Sequence, residues 1–193
     1  PFDYEEYQNS GIKLNAVCTD YDTGKPHYIL IDDIKEKIDY VIASCSLPTV
    51  SKAVNVDGLT LYDGGVVDPI PIKQSIEKFD YQVLVLTRDG NYRKSNSLSN
   101  RLIKRRFFRS KEFSKVLGSR HLIYNESLDL VNKLEKDKKA IVIRPSQQVL
   151  IDRFEKDPVK LKALYDLGYQ DAQDKYEAIL ALSKMCSNIE IEK

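Results

Sequence analysis

Short extended segments alternate with turn residues through the first third of the chain. IKLNAVCT, from Ile12 to Thr19, and the run HYILI that starts at His27 are rich in β-forming residues, and the turn sequence Asp22-Thr23-Gly24 separates them. Two more β-prone segments flank Asp57-Gly58, a dipeptide typical of two-residue hairpin turns. The pattern therefore predicts two β-hairpins.

Helical spacing occurs between and after these hairpins. Asp33 is the expected N-cap of a helix, DIKEKIDYVIAS, which must end before Pro48. The apolar positions of this helix share one face: Ile34, Ile38, Val41 and Ile42. Pro71 is a favourable first-turn residue for the next helix, PIKQSIEKF.

An almost wholly apolar run from Tyr81 to Thr87 is typical of a strand that is buried on both faces in a parallel sheet. Its alternation with helices predicts an α/β layered fold. A long helical pattern starts at Ser97, a short buried strand starts at Ala140, and Pro158 to Cys186 is mostly helical. We therefore expect one unit over residues 1–96, and over residues 97–193 a basic helical segment, a short strand and a helical extension.

Composition excludes several classes of protein. No window approaches the roughly 18 consecutive apolar residues of a membrane span, and the acidic N-terminus PFDYEEYQNS does not resemble a signal peptide. The three cysteines, Cys18, Cys45 and Cys186, are odd in number and lack metal-site spacing, so we expect reduced thiols in a cytoplasmic protein.

Charge is concentrated in one segment. The chain has a net charge of +1, yet nine Lys or Arg and one acid lie between Arg88 and Lys111. Such an asymmetry would direct one face towards an anionic partner, for which a phospholipid surface and a nucleic acid are the candidates.

Few residues suit metal or phosphate chemistry. His27 and His121 are distant from each other and belong to no HExxH or cysteine–histidine pattern, and no glycine pattern approaches a phosphate-binding loop. We therefore expect no metal, no cofactor and no histidine-based triad.

The segment LYDGGVVDPIPI, from Leu61 to Ile72, carries the strongest chemical signal. Asp63 ends a predicted strand and precedes Gly64 and Gly65, where the backbone can turn sharply and approach another segment because glycine has no Cβ. This arrangement can bring a carboxylate base against a nucleophile, although Asp-Gly pairs also occur in ordinary turns. Asp68 is the expected cap of the helix that follows.

The run IASCSLPTVSKAVNVDGLTLYDGGVVDPIPI resembles the C-terminal half of the patatin-like phospholipase catalytic domain. The resemblance rests on the Ala-Ser-x-x-x-Pro element at Ala43 to Pro48 and on the Asp-Gly-Gly motif at Asp63. NAVCTDYDTGKP resembles the preceding strand and turn, and IRPSQQVLIDRFEKDPVKLKALYDLGYQDA resembles the C-terminal extension of the bacterial subgroup. The implied fold is a three-layer sheet with flanking helices and a helical C-terminal extension.

The resemblance implies acyl-ester hydrolysis by a serine–aspartate dyad, in which Asp63 is the base and Gly64 and Gly65 line the site. The family's nucleophilic serine lies in a GxSxG elbow, but no two glycines of this chain are four residues apart. Ser44 and Ser46 lack elbow glycines, so structural roles are expected for them. We therefore expect the N-terminal strands, the elbow and the oxyanion loop to be absent from this chain, and the chain alone to be inactive.

The basic segment leaves an alternative open. It contains Phe107 and Phe108, so it could lie on an anionic membrane, or form a solvated helix whose two phenylalanines face the core. The basic residues of this possible membrane contact are Arg101, Lys104, Arg105, Arg106 and Arg109. The rival function is a non-catalytic module that binds a membrane or an acidic partner. Nucleic acid is not expected, and exposed apolar surface would permit a homo-oligomer.

Overall fold

A computed structural model describes residues 2–96, 106–151 and 154–191, with backbone alone for residues 187–191. The chain forms two compact units, each built from two segments. The first unit comprises Pro1–Pro71 and Lys94–Leu128, and the second comprises Ile72–Arg93 and Asp129–Lys193. The predicted division between residues 96 and 97 stays a prediction.

The first unit contains a four-stranded antiparallel sheet in the order β2-β1-β4-β3. Its elements are α1 Tyr4–Asn9, β1 Leu14–Asp20, β2 Pro26–Ile31, α2 Ile38–Ser44, β3 Val54–Val56, β4 Leu59–Asp63 and a 3₁₀ turn at Gly64–Val66. β1 pairs with β2, and β3 pairs with β4, so both predicted hairpins are confirmed. β1 also pairs with β4, which joins the two hairpins into one sheet.

The turn between β3 and β4 has the backbone that its sequence predicts. Asp57 and Gly58 both adopt positive φ, at 49° and 77°. Two consecutive residues of this kind are characteristic of a type I′ turn, which asparagine, aspartate and glycine tolerate best. This turn sets the register Val54↔Leu61 and so fixes where β4 ends.

The helix predicted from Asp33 is shorter than expected, and two of its apolar positions are exposed. The Asp33 carboxylate accepts hydrogen bonds from the backbone N–H groups of Lys35 and Glu36, which stabilises a separate turn before α2. On α2 the apolar positions Ile38 and Ile42 are exposed, because the helix turns Ala43 towards the sheet instead. Ala43 packs in a cluster with Cys18 and Leu61, all three of which are fully buried.

The second unit contains a two-stranded parallel sheet. Its elements are α3 Ile72–Ile76, β5 Gln82–Val85, β6 Ala140–Ile143, α5 Pro158–Gln173 and α6 Tyr176–Ile191, while the long helix α4, Lys111–Lys136, contributes residues to both units. Pro158 occupies the first turn of α5, where the Asp157 side chain caps the helix. The predicted strand at Ala140 and the mostly helical C-terminal segment are confirmed.

Strand β5 is parallel, as predicted, but it is not buried on both faces. Val83 and Val85 are 45% and 71% exposed, whereas the alternate position Gln82 is buried. The reason is that β5 pairs with β6 alone, and no other described element covers the face that carries the two valines. The apolar run therefore indicated the strand correctly and its burial wrongly.

These elements confirm the α/β class. The strands are divided between an antiparallel and a parallel sheet, with helices in both units. The three-layer patatin-like arrangement is more detailed than this and stays a prediction.

Candidate active site

Strand β4 delivers Asp63 to a fixed position. The backbone N–H of Asp63 donates to the carbonyl of Ser46 at 2.9 Å. Its own carbonyl accepts a hydrogen bond from the hydroxyl of Thr19 at 2.8 Å, and Thr19 is fully buried on the neighbouring strand β1. Because both backbone groups are bonded, the direction in which the Asp63 side chain leaves the sheet is set by the fold.

The Asp63 carboxylate is half-buried and held at one oxygen. Oδ1 accepts a hydrogen bond from the backbone N–H of Gly65 at 2.6 Å, in the way that an N-cap side chain binds the first turn of a helix. None of the described residues donates a hydrogen bond to Oδ2. One oxygen therefore anchors the group, and the other is the one left to accept a proton.

Gly64 makes the close approach that the sequence predicts for this motif. A Cβ at Gly64 would lie 2.2 Å from the carbonyl oxygen of Val17, which is much closer than van der Waals contact with the backbone of β1 allows. Only glycine fits without movement of that strand. The site therefore begins at a point where the backbone packs directly against β1, one of the two inner strands of the sheet.

Gly65 lies between the carboxylate and an arginine. Its carbonyl accepts a hydrogen bond from Nε of Arg120 at 2.6 Å. A Cβ at Gly65 would lie 2.9 Å from Oδ1 of Asp63 and 3.4 Å from an Nη atom of Arg120. Thus both peptide groups of Gly65 are engaged, one by the Asp63 carboxylate and the other by a side chain of α4.

An aromatic core supports the 3₁₀ turn. Val66 packs in a buried cluster with Phe107, Phe113 and Leu117. Tyr21 and Tyr62 pack on this cluster, with ring centroids 5.2 to 6.3 Å from one another and from the two phenylalanines. This core ties the turn that follows Asp63 to the N-terminal half of α4.

Ser110 connects the start of the same helix to the residue that follows β1. Its hydroxyl donates to the carbonyl of Tyr21 at 2.5 Å and accepts a hydrogen bond from the backbone N–H of Phe113 at 3.2 Å. The second contact satisfies a donor in the first turn of α4, as serine commonly does at helix starts.

A buried thiol lies beside Asp63. Cys18 is directly opposite Asp63 in the β1–β4 register, and its thiol donates to the carbonyl of Tyr40 at 3.4 Å. Burial, and to a lesser extent the negative charge of Asp63, raises the pKa of Cys18 to about 11. A thiol in this state is not an effective nucleophile at neutral pH.

The two histidines are in unlike surroundings. Nε2 of His27 lies 3.4 Å from the buried carboxylate of Asp20, which also accepts from the backbone of Asp22 and the hydroxyl of Thr23. Burial alone would raise the pKa of Asp20, but these hydrogen bonds bring it below its ordinary value. Nδ1 of His121 is buried and has no hydrogen-bond partner among the described residues.

Neither serine near the motif has the geometry of an elbow. Ser46 is buried, and its hydroxyl donates to the carbonyl of Ile42 one helical turn back, at 2.9 Å. Ser44 is the last residue of α2.

The Asp68 carboxylate was expected to cap the following helix. It accepts a hydrogen bond from the hydroxyl of Tyr28 at 2.5 Å.

The basic segment is described in part. Arg101, Lys104 and Arg105 lie outside the described residues, whereas Arg106 and Arg109 are exposed. The two phenylalanines differ: Phe107 is 7% exposed in the aromatic core, and Phe108 is 70% exposed. The alternative in which both phenylalanines face the core is therefore wrong for Phe108, because consecutive residues at a turn point in different directions.

The described part of the chain has neither a candidate metal site nor a helix suited to a membrane. There, no group of three or more His, Cys, Asp or Glu side chains is placed to hold a metal ion. None of the helices described has the length and apolar character to cross a bilayer.

Two segments of the chain match families of known proteins. Residues 15–76 match the family described as patatin-like phospholipase, and residues 110–184 match a domain of unknown function (DUF6363). No curated protein matches the chain. The first match contains Asp63, Gly64 and Gly65, and it supports a patatin-like relationship and a hydrolase of the phospholipase type.

The sequence alone did not reveal the residues that hold the Asp63-Gly64-Gly65 motif from other parts of the chain. Arg120 lies 55 residues beyond Gly65 in the chain, and no local pattern joins the two. The only available signal was helical periodicity, which places Phe113, Leu117 and Arg120 near one face of α4. Thr19 gave no signal beyond its place in a predicted strand.

Proposed function

We propose that this chain supplies the general base, Asp63, of a patatin-like serine acyl hydrolase that acts on a phospholipid or another lipid ester. One observation carries the proposal: the carboxylate is held through Oδ1 by the N–H of Gly65, while Oδ2 has no donor on it among the described residues. The match of residues 15–76 to patatin-like phospholipases supports the choice of reaction.

In the proposed reaction, Oδ2 of Asp63 takes the proton of a serine hydroxyl as the serine oxygen attacks the ester carbonyl carbon. The tetrahedral intermediate then collapses, the bond to the alcohol oxygen breaks, and Asp63 returns the proton to the departing alcohol. In the second half, water attacks the acyl carbon while Asp63 takes one proton from it. The bond between the acyl carbon and the serine oxygen then breaks, the carboxylic acid leaves, and Asp63 returns the proton to the serine oxygen. No other group needs to titrate.

A carboxylate surrounded by water is a weak base, so a general base of this kind needs surroundings that remove water from it. Asp63 is half-buried, and an ester that covers Oδ2 would remove the remaining water from it. Loss of water destabilises the carboxylate relative to the carboxylic acid and so strengthens it as a base. The anchored Oδ1 keeps the group oriented throughout.

The proposed nucleophile is not a serine of this sequence. The chain contains no GxSxG. Ser46, whose carbonyl accepts a hydrogen bond from the N–H of Asp63, uses its hydroxyl to bond the carbonyl of Ile42 in α2. We propose that the serine and the backbone donors for the oxyanion come from a segment outside this sequence, and that the 193-residue chain alone does not hydrolyse esters. Turnover of a chromogenic ester by the purified chain would contradict this.

The fold that accompanies this function is a three-layer sheet. In support, the β5–β6 pair is parallel and leaves Val83 and Val85 exposed, whereas parallel sheets are normally covered on both faces. We propose that further strands or helices from outside this sequence complete that sheet.

The variant Asp63→Asn tests the assignment in the natural polypeptide that contains this chain. Asparagine retains an acceptor for the N–H of Gly65 but cannot take a proton, so we expect ester turnover to fall by a factor of about 10² to 10⁴ with unchanged thermal stability. The control is Asp57→Asn, at a turn where positive φ suits asparagine. Because asparagine before glycine deamidates readily, the intact mass is checked before each assay.

The assignment fails if Asp63→Asn hydrolyses the ester as fast as the parent protein. A polypeptide that binds membranes yet hydrolyses no ester in any form would favour the non-catalytic alternative.

A specific observation also favours a membrane contact as a second function. Phe108 is 70% exposed between the exposed cations Arg106 and Arg109, a combination that suits the headgroup region of an anionic bilayer. We propose that this segment binds such a surface and that the protein is otherwise cytoplasmic, in keeping with its three free cysteines.

Co-sedimentation with phosphatidylserine vesicles tests the membrane contact. Binding should weaken in Phe108→Ser and with added salt, and binding that neither change affects would exclude a contact through this segment.

A further inference from the structure

We infer that Arg120 is a positioning residue that keeps the carboxylate of Asp63 oriented by holding the peptide of Gly65. The inference rests on the proposed function of Asp63 and goes beyond it, because Arg120 lies outside the patatin-like match. It lies in the segment that matches the domain of unknown function, residues 110–184, and so gives the first part of that segment a role in the site.

Two contacts on one residue transmit the effect. The guanidinium of Arg120 donates from Nε to the carbonyl of Gly65 at 2.6 Å. The N–H of Gly65 donates to Oδ1 of Asp63 at 2.6 Å. The carbonyl and the N–H are separated only by the two rotatable backbone bonds of Gly65, so fixing the carbonyl restricts the directions in which the N–H can point.

Glycine makes this support necessary. Gly65 has no side chain to limit its backbone, and glycine loses more conformational freedom on folding than any other residue. A larger residue would not fit without a shift, because its Cβ would meet Oδ1 of Asp63 at 2.9 Å. The site therefore favours a residue without a Cβ at this position, and the charge-assisted hydrogen bond from Arg120 restricts the backbone that glycine leaves free.

The arginine acts from a well-anchored part of α4. Phe113 and Leu117, which precede it on the same helix, are buried in the cluster that contains Val66. Ser110 fixes the start of the helix to the carbonyl of Tyr21. Because the same helix packs on Val66 and bonds Gly65, two consecutive residues of the 3₁₀ turn are held against α4.

The first arm of the test measures the turn itself, in the natural polypeptide labelled with ¹⁵N-glycine. We compare hydrogen exchange of the Gly65 amide in the parent protein, in Arg120→Gln and in Lys115→Gln, which removes an exposed charge from the same helix. We expect exchange about 10-fold faster in Arg120→Gln and unchanged in Lys115→Gln. Equal exchange in all three proteins overturns the inference.

The second arm measures catalysis in the same proteins. We expect Arg120→Gln to lower kcat by a factor of about 10 to 100 with little change in KM, because the base is misplaced while the ester site is intact. Arg120→Lys, which keeps the charge but not the planar donor, should recover part of the loss. Faster exchange at Gly65 without any loss of kcat overturns the positioning role.

The two arms separate this inference from the proposed function. Absence of ester turnover in the parent protein rejects the hydrolase and, with it, the effect of Arg120 on kcat. The exchange arm then still decides whether Arg120 holds Gly65. A kcat that falls equally in Lys115→Gln would show a general effect of charge on α4 and would also reject the inference.

Discussion

Gly64 packs so closely on Val17 that a Cβ would lie 2.2 Å from the Val17 carbonyl oxygen. Because the obstacle is the backbone of β1, it cannot rotate away as a side chain would. We expect Gly64→Ala to lower the free energy of unfolding by about 1 to 3 kcal/mol or more. Urea unfolding followed by circular dichroism measures the change.

The control for that prediction is Gly168→Ala. Gly168 lies inside α5, and a Cβ there would meet no atom within 4 Å. Alanine should therefore stabilise the protein by up to about 1 kcal/mol through its higher helix propensity. If Gly64→Ala were as stable as the parent protein, the close packing of the motif on β1 would be wrong.

Phe107 and Phe108 form a matched pair of adjacent residues. Phe107 is buried among the aromatic residues that support Val66, whereas Phe108 is exposed. We expect Phe107→Ala to cost about 3 to 5 kcal/mol of stability through loss of burial and formation of a cavity, and Phe108→Ala to change stability by less than about 0.5 kcal/mol. Comparable losses in thermal unfolding would contradict this assignment of the core.

Asp20 should make the free energy of unfolding fall at low pH. Hydrogen bonds from the Asp22 backbone and the Thr23 hydroxyl outweigh burial and lower its pKa, so its carboxylate stabilises the folded state above the ordinary pKa of about 3.9. That stabilisation is lost as pH falls through the lowered folded value. We expect Asp20→Asn to be about 1 to 3 kcal/mol less stable than the parent at pH 7, with a smaller difference near pH 3.

Urea titrations between pH 7 and pH 2.5 measure this dependence, with the exposed neighbour Asp22→Asn as the control. A difference that stays constant across the range would show that Asp20 is not stabilised as a carboxylate.

Tyr40 should produce the opposite dependence, at high pH. Its hydroxyl donates to the carboxylate of Asp57 at 2.6 Å, and this hydrogen bond is the main cause that raises the pKa of Tyr40 to about 12. The stabilisation is fully present below the ordinary value of about 10 and is lost as pH rises through 12.

We expect Tyr40→Phe to lower the free energy of unfolding by about 1 kcal/mol at pH 8. Because Asp57 is exposed, this loss is smaller than the one expected for a fully buried charged pair. The loss should shrink as pH rises above 10, and a loss that grew there would refute the assignment. Denaturant unfolding at several pH values provides the measurement.

Local patterns predicted the strands and turns well because their causes are local. The hairpin at Asp57-Gly58 follows from two residues that tolerate positive φ. The Asp63-Gly64-Gly65 motif predicted a close approach of two backbone segments, and Gly64 makes that approach. Burial was predicted less well. Ile38, Ile42, Val83 and Val85 have the apolar character of core residues, yet their exposure depends on which elements pack over them.

The sequence by itself determined where the chain turns, which segments form strands and helices, and which carboxylate lies next to two glycines, because sterics and hydrogen bonding within a few residues decide these features. Only the tertiary structure decided that Thr19 and Ser46 fix the backbone of Asp63, and that Arg120 bonds the peptide beside it. Those contacts join residues far apart in the chain. They arise from the packing of a helix and a sheet, which no short segment encodes.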